Sequence, residues 1–100
     1  IAAAASIGLS IVEQEERLTV CPGKVDRELF SRIASGSEVA VVMKLSQCEE
    51  EVKHFISLEE RLVCHYFENV GADGEFYTCD KKDILAREFP YFSLMIIKGR

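Results

Sequence analysis

An α/β fold is what this sequence predicts: a mixed sheet of about five strands flanked by helices. Three observations lead there. First, apolar runs of strand length alternate with segments of helical period over the first two thirds of the chain. Second, the strand-like runs of the last third follow one another, which adds antiparallel pairs to a partly parallel sheet. Third, 100 residues with 48% hydrophobic and 29% charged side chains make one ordinary globular domain.

The elements follow in order. Residues 1–7, "IAAAASI", read as the end of a small-residue helix, with Gly8 as its stop. Residues 16–21 read as a strand closed by the turn pair Pro22-Gly23. Over 25–34, Val25, Leu29, Phe30 and Ile33 repeat at helical spacing, and Asp26 suits the helix dipole in a first turn. Residues 35–37, Ser-Gly-Ser, end that helix. The run "EVAVVMKL", 38–45, predicts a fully buried strand. Ser46 with Glu49 three residues on is a capping-box pattern, opening a helix that reaches about Ile56 and places Cys48, Val52, Phe55 and Ile56 on one face. "LVCHYF", 62–67, is the next strand, and "ENVGADGEF" a loop. Phe76-Tyr77-Thr78 is a short strand, 81–87 a turn of helix or a linker, and Pro90 opens the last strand, "YFSLMIIKG".

Composition excludes several functions. The net charge is −5, with no basic cluster denser than Lys81-Lys82, which argues against nucleic acid and against an anionic membrane surface. No apolar run approaches the roughly 18–20 residues that cross a bilayer. The chain starts without Met and in mid-helix, so it reads as the cut edge of a longer protein. Cys21, Cys48, Cys64 and Cys79 include no C-x-x-C pair, which argues against a metal site; free thiols in a reducing cytoplasm are the simpler reading.

Motifs for hydrolysis are missing: no G-x-S-x-G, no H-E-x-x-H and no phosphate-cradling glycine loop. His54 falls in the charged helix as a solvated residue. Cys64 and His65 are strand neighbours that point to opposite faces, so they cannot act as nucleophile and base. Glu49-Glu50-Glu51 suits a helix first turn. What remains are two strand ends, Met43-Lys44-Leu45 and Glu68-Asn69-Val70-Gly71. In open α/β sheets, ligands bind beyond the carboxyl ends of strands. Exposed main-chain groups beside an apolar residue can grip a purine, although plain strand termination produces the same pattern.

Four segments in order, "AAAASIGLSIVEQEERLTVCPG", "VAVVMKLSQ", "HYFENVGADGEF" and "FPYFSLMIIKG", resemble the C-terminal half of tetrapyrrole methylases. The resemblance is strongest to the precorrin-2 (cobalt-factor II) C20-methyltransferases of cobalamin (vitamin B12) biosynthesis, and it covers nearly the whole chain. It implies the C-terminal domain of a two-domain enzyme, with S-adenosyl-L-methionine in the cleft between the domains. It implies that Met43 contacts the adenosine, that Asn69 and Val70 line the other side of the nucleoside, and that Ile1 and Ala2 follow a cofactor-touching turn. The reaction implied is methyl transfer to a ring carbon of the tetrapyrrole, which demands alignment more than acid or base; no residue is thereby marked as catalytic. Relatives of this kind are commonly homodimers. Ala72-Asp73-Gly74 departs from the family's loop, and this acidic half leaves most cations for a polycarboxylate substrate to the other domain. Two alternatives stay open: another tetrapyrrole methylase, acting at a different carbon or on uroporphyrinogen III, or a small α/β binding module without chemistry.

Overall fold

The structure, a computed structural model, describes Ala3, Ala5 and residues 17–100. Strands β1 (Arg17–Pro22), β2 (Glu38–Met43), β3 (Leu62–Glu68), β4 (Phe76–Thr78) and β5 (Ser93–Gly99) form one sheet in the order β1-β2-β5-β3-β4. Helices α1 (Arg27–Ala34), α2 (Glu49–Leu58) and α3 (Lys81–Ala86) connect them. Strands β1 and β2 are parallel; β5 is antiparallel to both β2 and β3, and β4 is antiparallel to β3. The sheet is therefore the mixed five-stranded one expected.

Strands β2 and β3 run the same way because both oppose β5. Their carboxyl ends consequently emerge at one edge, together with the amino end of β5. Successive parallel strands advance in one direction across the sheet, and right-handed crossovers that do so put their helices on one face. The core follows that rule. Ala40, Val42, Cys64, Tyr66, Met95 and Ile97 pack with Leu29, Phe30 and Ile33 of α1, Val52 and Ile56 of α2, and Ile84 of α3. The other face carries Val39, Val41, Phe67 and Ile96, with Ala3 against them. Continuous apolar runs in β2 and β5 reflect burial on both faces.

Local structure departs from the expected boundaries at several points, each for a physical reason. Asp26 is not in the first turn of α1 but at its N-cap, extended (φ −144°), with its carboxylate accepting from the Leu29 amide at 2.8 Å. Strand β2 stops at Met43, not Leu45. Lys44 turns left-handed (φ 53°), and Leu45, fully buried, opens a 3₁₀ turn that carries it into the core. The capping box at Ser46 does not form: Ser46 lies inside that turn, and Cys48 precedes α2 without a side-chain cap. The Glu49 carboxylate instead accepts from Lys53 Nζ (2.8 Å) and from the Phe89 amide (2.9 Å), so it anchors the segment before β5. Residues 81–86 are a true helix, capped by Asp80 through the Lys82 amide at 2.9 Å. Pro90 does not open the last strand. The partner β3 ends where Glu68 pairs with Ser93, so 90–92 have no strand to pair with and Tyr91 and Phe92 stand in solvent.

Two charged groups fasten helices to the sheet. Glu38, at the buried start of β2, binds Arg32 of α1 at 3.0 Å. Arg87 binds Glu68 at 3.1 Å, lies 3.8 Å over the Phe76 ring and meets Asp83 at 3.4 Å; Tyr66 donates to the same Glu68 oxygen at 2.5 Å. Burial raises the Glu38 carboxyl's pKa, but its bonds to Arg32 and Thr19 outweigh that and hold it below the ordinary 4.5. For Glu49, burial is likewise outweighed, by Lys53 and the Phe89 amide. A carboxyl held low in the folded state contributes stability that is complete above its ordinary value and is lost as acid protonates the folded chain. Stability should thus fall steeply below about pH 4.5, and Glu38→Gln should flatten that fall in urea titrations repeated across pH. An unchanged slope would show that Glu38 is not coupled to folding.

The thiols are all free: Cys21, Cys48 and Cys64 are buried and Cys79 is exposed. Burial pushes the Cys64 thiol up to about 12. Cys64 packs in the helix-side core while His65, on the opposite face, meets the Tyr77 hydroxyl at 2.7 Å. Among the described residues no three His, Cys, Asp or Glu side chains are grouped to hold a metal, and no helix is long and apolar enough to cross a membrane.

Candidate functional site

The two strand ends singled out in the sequence meet across β5. Met43 and Lys44 come from the end of β2; Asn69, Val70 and Ala72 come from the loop after β3; Phe67 and Leu94 form the floor. Tyr91, Phe92 and Ser93 close the third side, and the hollow measures about 490 Å³. It lies on the sheet face opposite α1–α3, since Met43 continues the alternation of Val39 and Val41. Its size and largely apolar lining suit a small-molecule ligand.

The local geometry is held by the main chain. Gly23 (φ 80°) donates its amide to the Met43 carbonyl at 2.8 Å, tying the end of β1 to the end of β2. A Cβ on Gly23 would lie 2.7 Å from Gln47 Oε1, a contact that this flexible side chain can yield, so it is the left-handed backbone that favours glycine there. The Lys44 carbonyl accepts from the Gln47 amide (3.0 Å), the Asn69 amide donates to the Phe92 carbonyl (2.9 Å), and the Asn69 carbonyl accepts from the Ala72 amide (3.0 Å). These groups are therefore partnered, not open as the strand-end reading assumed. A ligand would reach the carbonyls only through their second lone pair.

Lys44 (φ 53°) and Asn69 (φ 52°) are the non-glycine residues with left-handed backbones among those described, and both line this hollow. Asparagine adopts that conformation readily; for lysine it costs about 1 kcal/mol. Such outliers collect at functional sites because the surrounding structure must hold them there. Here the buried Leu45 and the Gly23–Met43 bond do so.

Of the residues expected to form the site, Met43, Asn69 and Val70 come together. Met43 is 39% exposed, and Asn69 and Val70 are half-buried. Ile1 and Ala2 lie outside the described residues. Sequence reasoning missed Tyr91 and Phe92, which it assigned to the start of the last strand; their place after Pro90 was the available signal. A second hollow, about 670 Å³, lies between the start of α2 and the end of α3. It is lined by Glu49, Glu50, Glu51, Lys53, Arg87 and Glu88 among others, and these polar side chains suit solvent more than an apolar ligand.

No protein-family model matches the sequence, and neither does any curated protein. Solved structures do. A uroporphyrin-III C-methyltransferase from Thermus thermophilus superimposes with a TM-score of 0.65 at 14% identity, covering 96% of this chain and 45% of that one. The native form of that enzyme gives a TM-score of 0.62 at 14% identity, covering 97% and 47%. A structure of it complexed with S-adenyl homocysteine gives 0.59 at 14% identity, covering 97% and 48%. The likeness is one of fold. This chain spans less than half the length of the structures it matches, so its sheet corresponds to one part of a longer molecule.

Proposed function

We propose that this chain is the C-terminal domain of an S-adenosyl-L-methionine-dependent tetrapyrrole C-methyltransferase, with the hollow at the end of β2 and β3 as the nucleoside side of the cofactor site. The observation that carries the reading is the convergence of Met43, Asn69 and Val70 on one apolar hollow, in a fold shared with uroporphyrin-III C-methyltransferase, one structure of which holds S-adenyl homocysteine. The hollow fits the group. Met43, Val70 and Leu94 offer apolar surface to a purine, and the Asn69 side-chain amide, whose Nδ2 donates to the Gly74 carbonyl at 3.3 Å, has its oxygen and second N–H for polar contacts at the edge. Ile1 and Ala2 belong to the proposed contact set through the sequence resemblance alone.

The cofactor would supply an activated methyl group on a sulfonium. The work left to this chain is to hold and align. Met43 and Val70 would clamp the nucleoside from two strand ends, with the end of β2 tied to the end of β1 by the Gly23 bond and the loop after β3 tied to the segment before β5 by the Asn69 bond. Among the described residues the lining contains no carboxylate, histidine or cysteine, which accords with a transfer that depends on in-line geometry. The apolar walls would also exclude water from the transferring group.

The substrate we favour is precorrin-2 or cobalt-factor II, methylated at C20 in cobalamin biosynthesis. This rests on the resemblance of the four sequence segments, "VAVVMKLSQ" and "FPYFSLMIIKG" among them. A second reading, methylation of uroporphyrinogen III, is favoured by the names of the structures matched. A homodimer working in the cytoplasm accompanies either reading. Calorimetric titration of the full-length protein with S-adenosylhomocysteine should give stoichiometric binding. Methyl transfer assayed with precorrin-2, cobalt-factor II and uroporphyrinogen III should single out a C20 product from the first two. Transfer to uroporphyrinogen III alone would select the second reading, and absence of cofactor binding would sink both.

A further inference from the structure

The rim of the hollow has a chemistry that its floor lacks. Tyr91 and Phe92 are 71% and 70% exposed, with ring centroids 4.8 Å apart in an edge-to-face pair. They are not on a loose loop. The Phe92 carbonyl accepts from the Asn69 amide at 2.9 Å, and the Ser93 hydroxyl donates to the Pro90 carbonyl at 2.8 Å. Two large aromatic side chains are thus held in water by the backbone that presents them. Exposed apolar surface of this kind, fixed beside a hollow, marks a contact with a ligand or partner.

Across from them stands Lys44, exposed, in a left-handed conformation that costs energy to maintain. Among the described residues it is the one formally charged member of the lining, and it forms no ion pair. Other cations near an acid are engaged: Arg32 with Glu38, Lys53 with Glu49, Arg61 with Glu59, and Arg87 with Glu68 and Asp83. In a chain of net charge −5, an ammonium with no acid partner among the described residues, beside a hollow whose described lining holds no acid, is an open position for an anion.

We propose that Tyr91, Phe92 and Lys44 form the substrate-facing rim of this site. The aromatic pair packs against the pyrrole rings of a cyclic tetrapyrrole, and Lys44 takes one of its peripheral carboxylates. The ligand class is a cyclic tetrapyrrole polycarboxylate, whose pyrrole rings prefer stacked or edge-on aromatic contact and whose edge prefers an ammonium. The inference rests on the methyltransferase reading for the identity of the macrocycle. The carboxylate chemistry alone would also suit the amino-acid end of the cofactor, and the test separates these sources.

Uroporphyrin III serves as the stable macrocycle probe, followed by its absorption in titrations of the full-length protein. S-adenosylhomocysteine and methylthioadenosine, which lacks the amino-acid carboxylate, are titrated in parallel by calorimetry. Lys44→Met should weaken uroporphyrin binding by about fivefold and reduce its salt dependence, while Lys44→Arg keeps both. Phe92→Ala should weaken uroporphyrin by a similar factor. In both variants uroporphyrin affinity should fall by more than S-adenosylhomocysteine affinity. Unchanged uroporphyrin affinity in Lys44→Met and Phe92→Ala overturns the rim. Weaker S-adenosylhomocysteine with unchanged methylthioadenosine in Lys44→Met reassigns the ammonium to the cofactor and overturns the substrate assignment. Failure of the unmodified protein to bind S-adenosylhomocysteine while it still binds uroporphyrin through Lys44 sinks the methyltransferase reading and leaves the rim standing.

Discussion

Met43→Asp in the full-length protein should weaken S-adenosylhomocysteine binding by about 30- to 100-fold, an effect of about 2–3 kcal/mol. Met43 ends β2 on the apolar side of the sheet, beside Phe67 and Leu94, and is 39% exposed. In the ligand-free chain an aspartate there remains hydrated, so folding should survive, and circular dichroism should confirm it. A nucleoside lying on that position would strip the water from the carboxylate without offering it a cation, and the penalty appears as lost affinity. Met43→Leu, which keeps volume and apolarity, should cost less than about threefold. Equal affinities for the aspartate variant and the unmodified protein would remove Met43 from the site.

The second large effect is on stability. Gly99→Ala should cost about 2–3 kcal/mol and lower the melting temperature by on the order of 10 °C. Gly99 closes β5 where that strand passes under the end of α1. A Cβ there would lie 2.4 Å from the Ile33 carbonyl oxygen, 3.3 Å from that of Ala34 and 3.4 Å from the Gly36 amide nitrogen. All three are backbone atoms, so no side chain can rotate away; the helix must lift from the sheet. Gly36→Ala is the informative comparison. Its φ of 86° is left-handed, yet nothing lies within 4 Å of the added carbon. Only the conformational cost of about 1 kcal/mol should be paid there. If the two substitutions cost the same in denaturant titrations, the close approach of β5 to α1 is wrong.

These effects differ in how far residues alone foretell them. Met43 could be singled out because an apolar run ended in Met-Lys and because ligands collect at strand ends. Gly99 could not: a glycine near the close of the chain gives no hint that a helix carbonyl sits above it. The same split runs through the fold. The periodicity of 25–34 and the continuous apolar run of β2 were enough to name a helix and a buried strand. The end of β2 was misplaced because Lys44 is an uncommon residue for a left-handed turn, and its conformation follows from the burial of Leu45. The capping box at Ser46 failed because Glu49 found a stronger use, the Phe89 amide forty residues away, which no local pattern reveals.

By itself the sequence determined the fold class, the identity of most elements and the core faces, because those depend on spacing within a few residues. Tertiary structure alone decided that β5 inserts between β2 and β3, and everything about the site follows from that insertion. Two parallel strands flanking an antiparallel one bring Met43 and Asn69 to the same edge, and the shortness of β3 leaves Tyr91 and Phe92 outside the strand ladder, exposed beside them. Strand order is set by hydrogen bonding and packing between segments far apart in the chain, so it leaves no local periodic trace, and a hollow built by three such segments exists only once they are assembled.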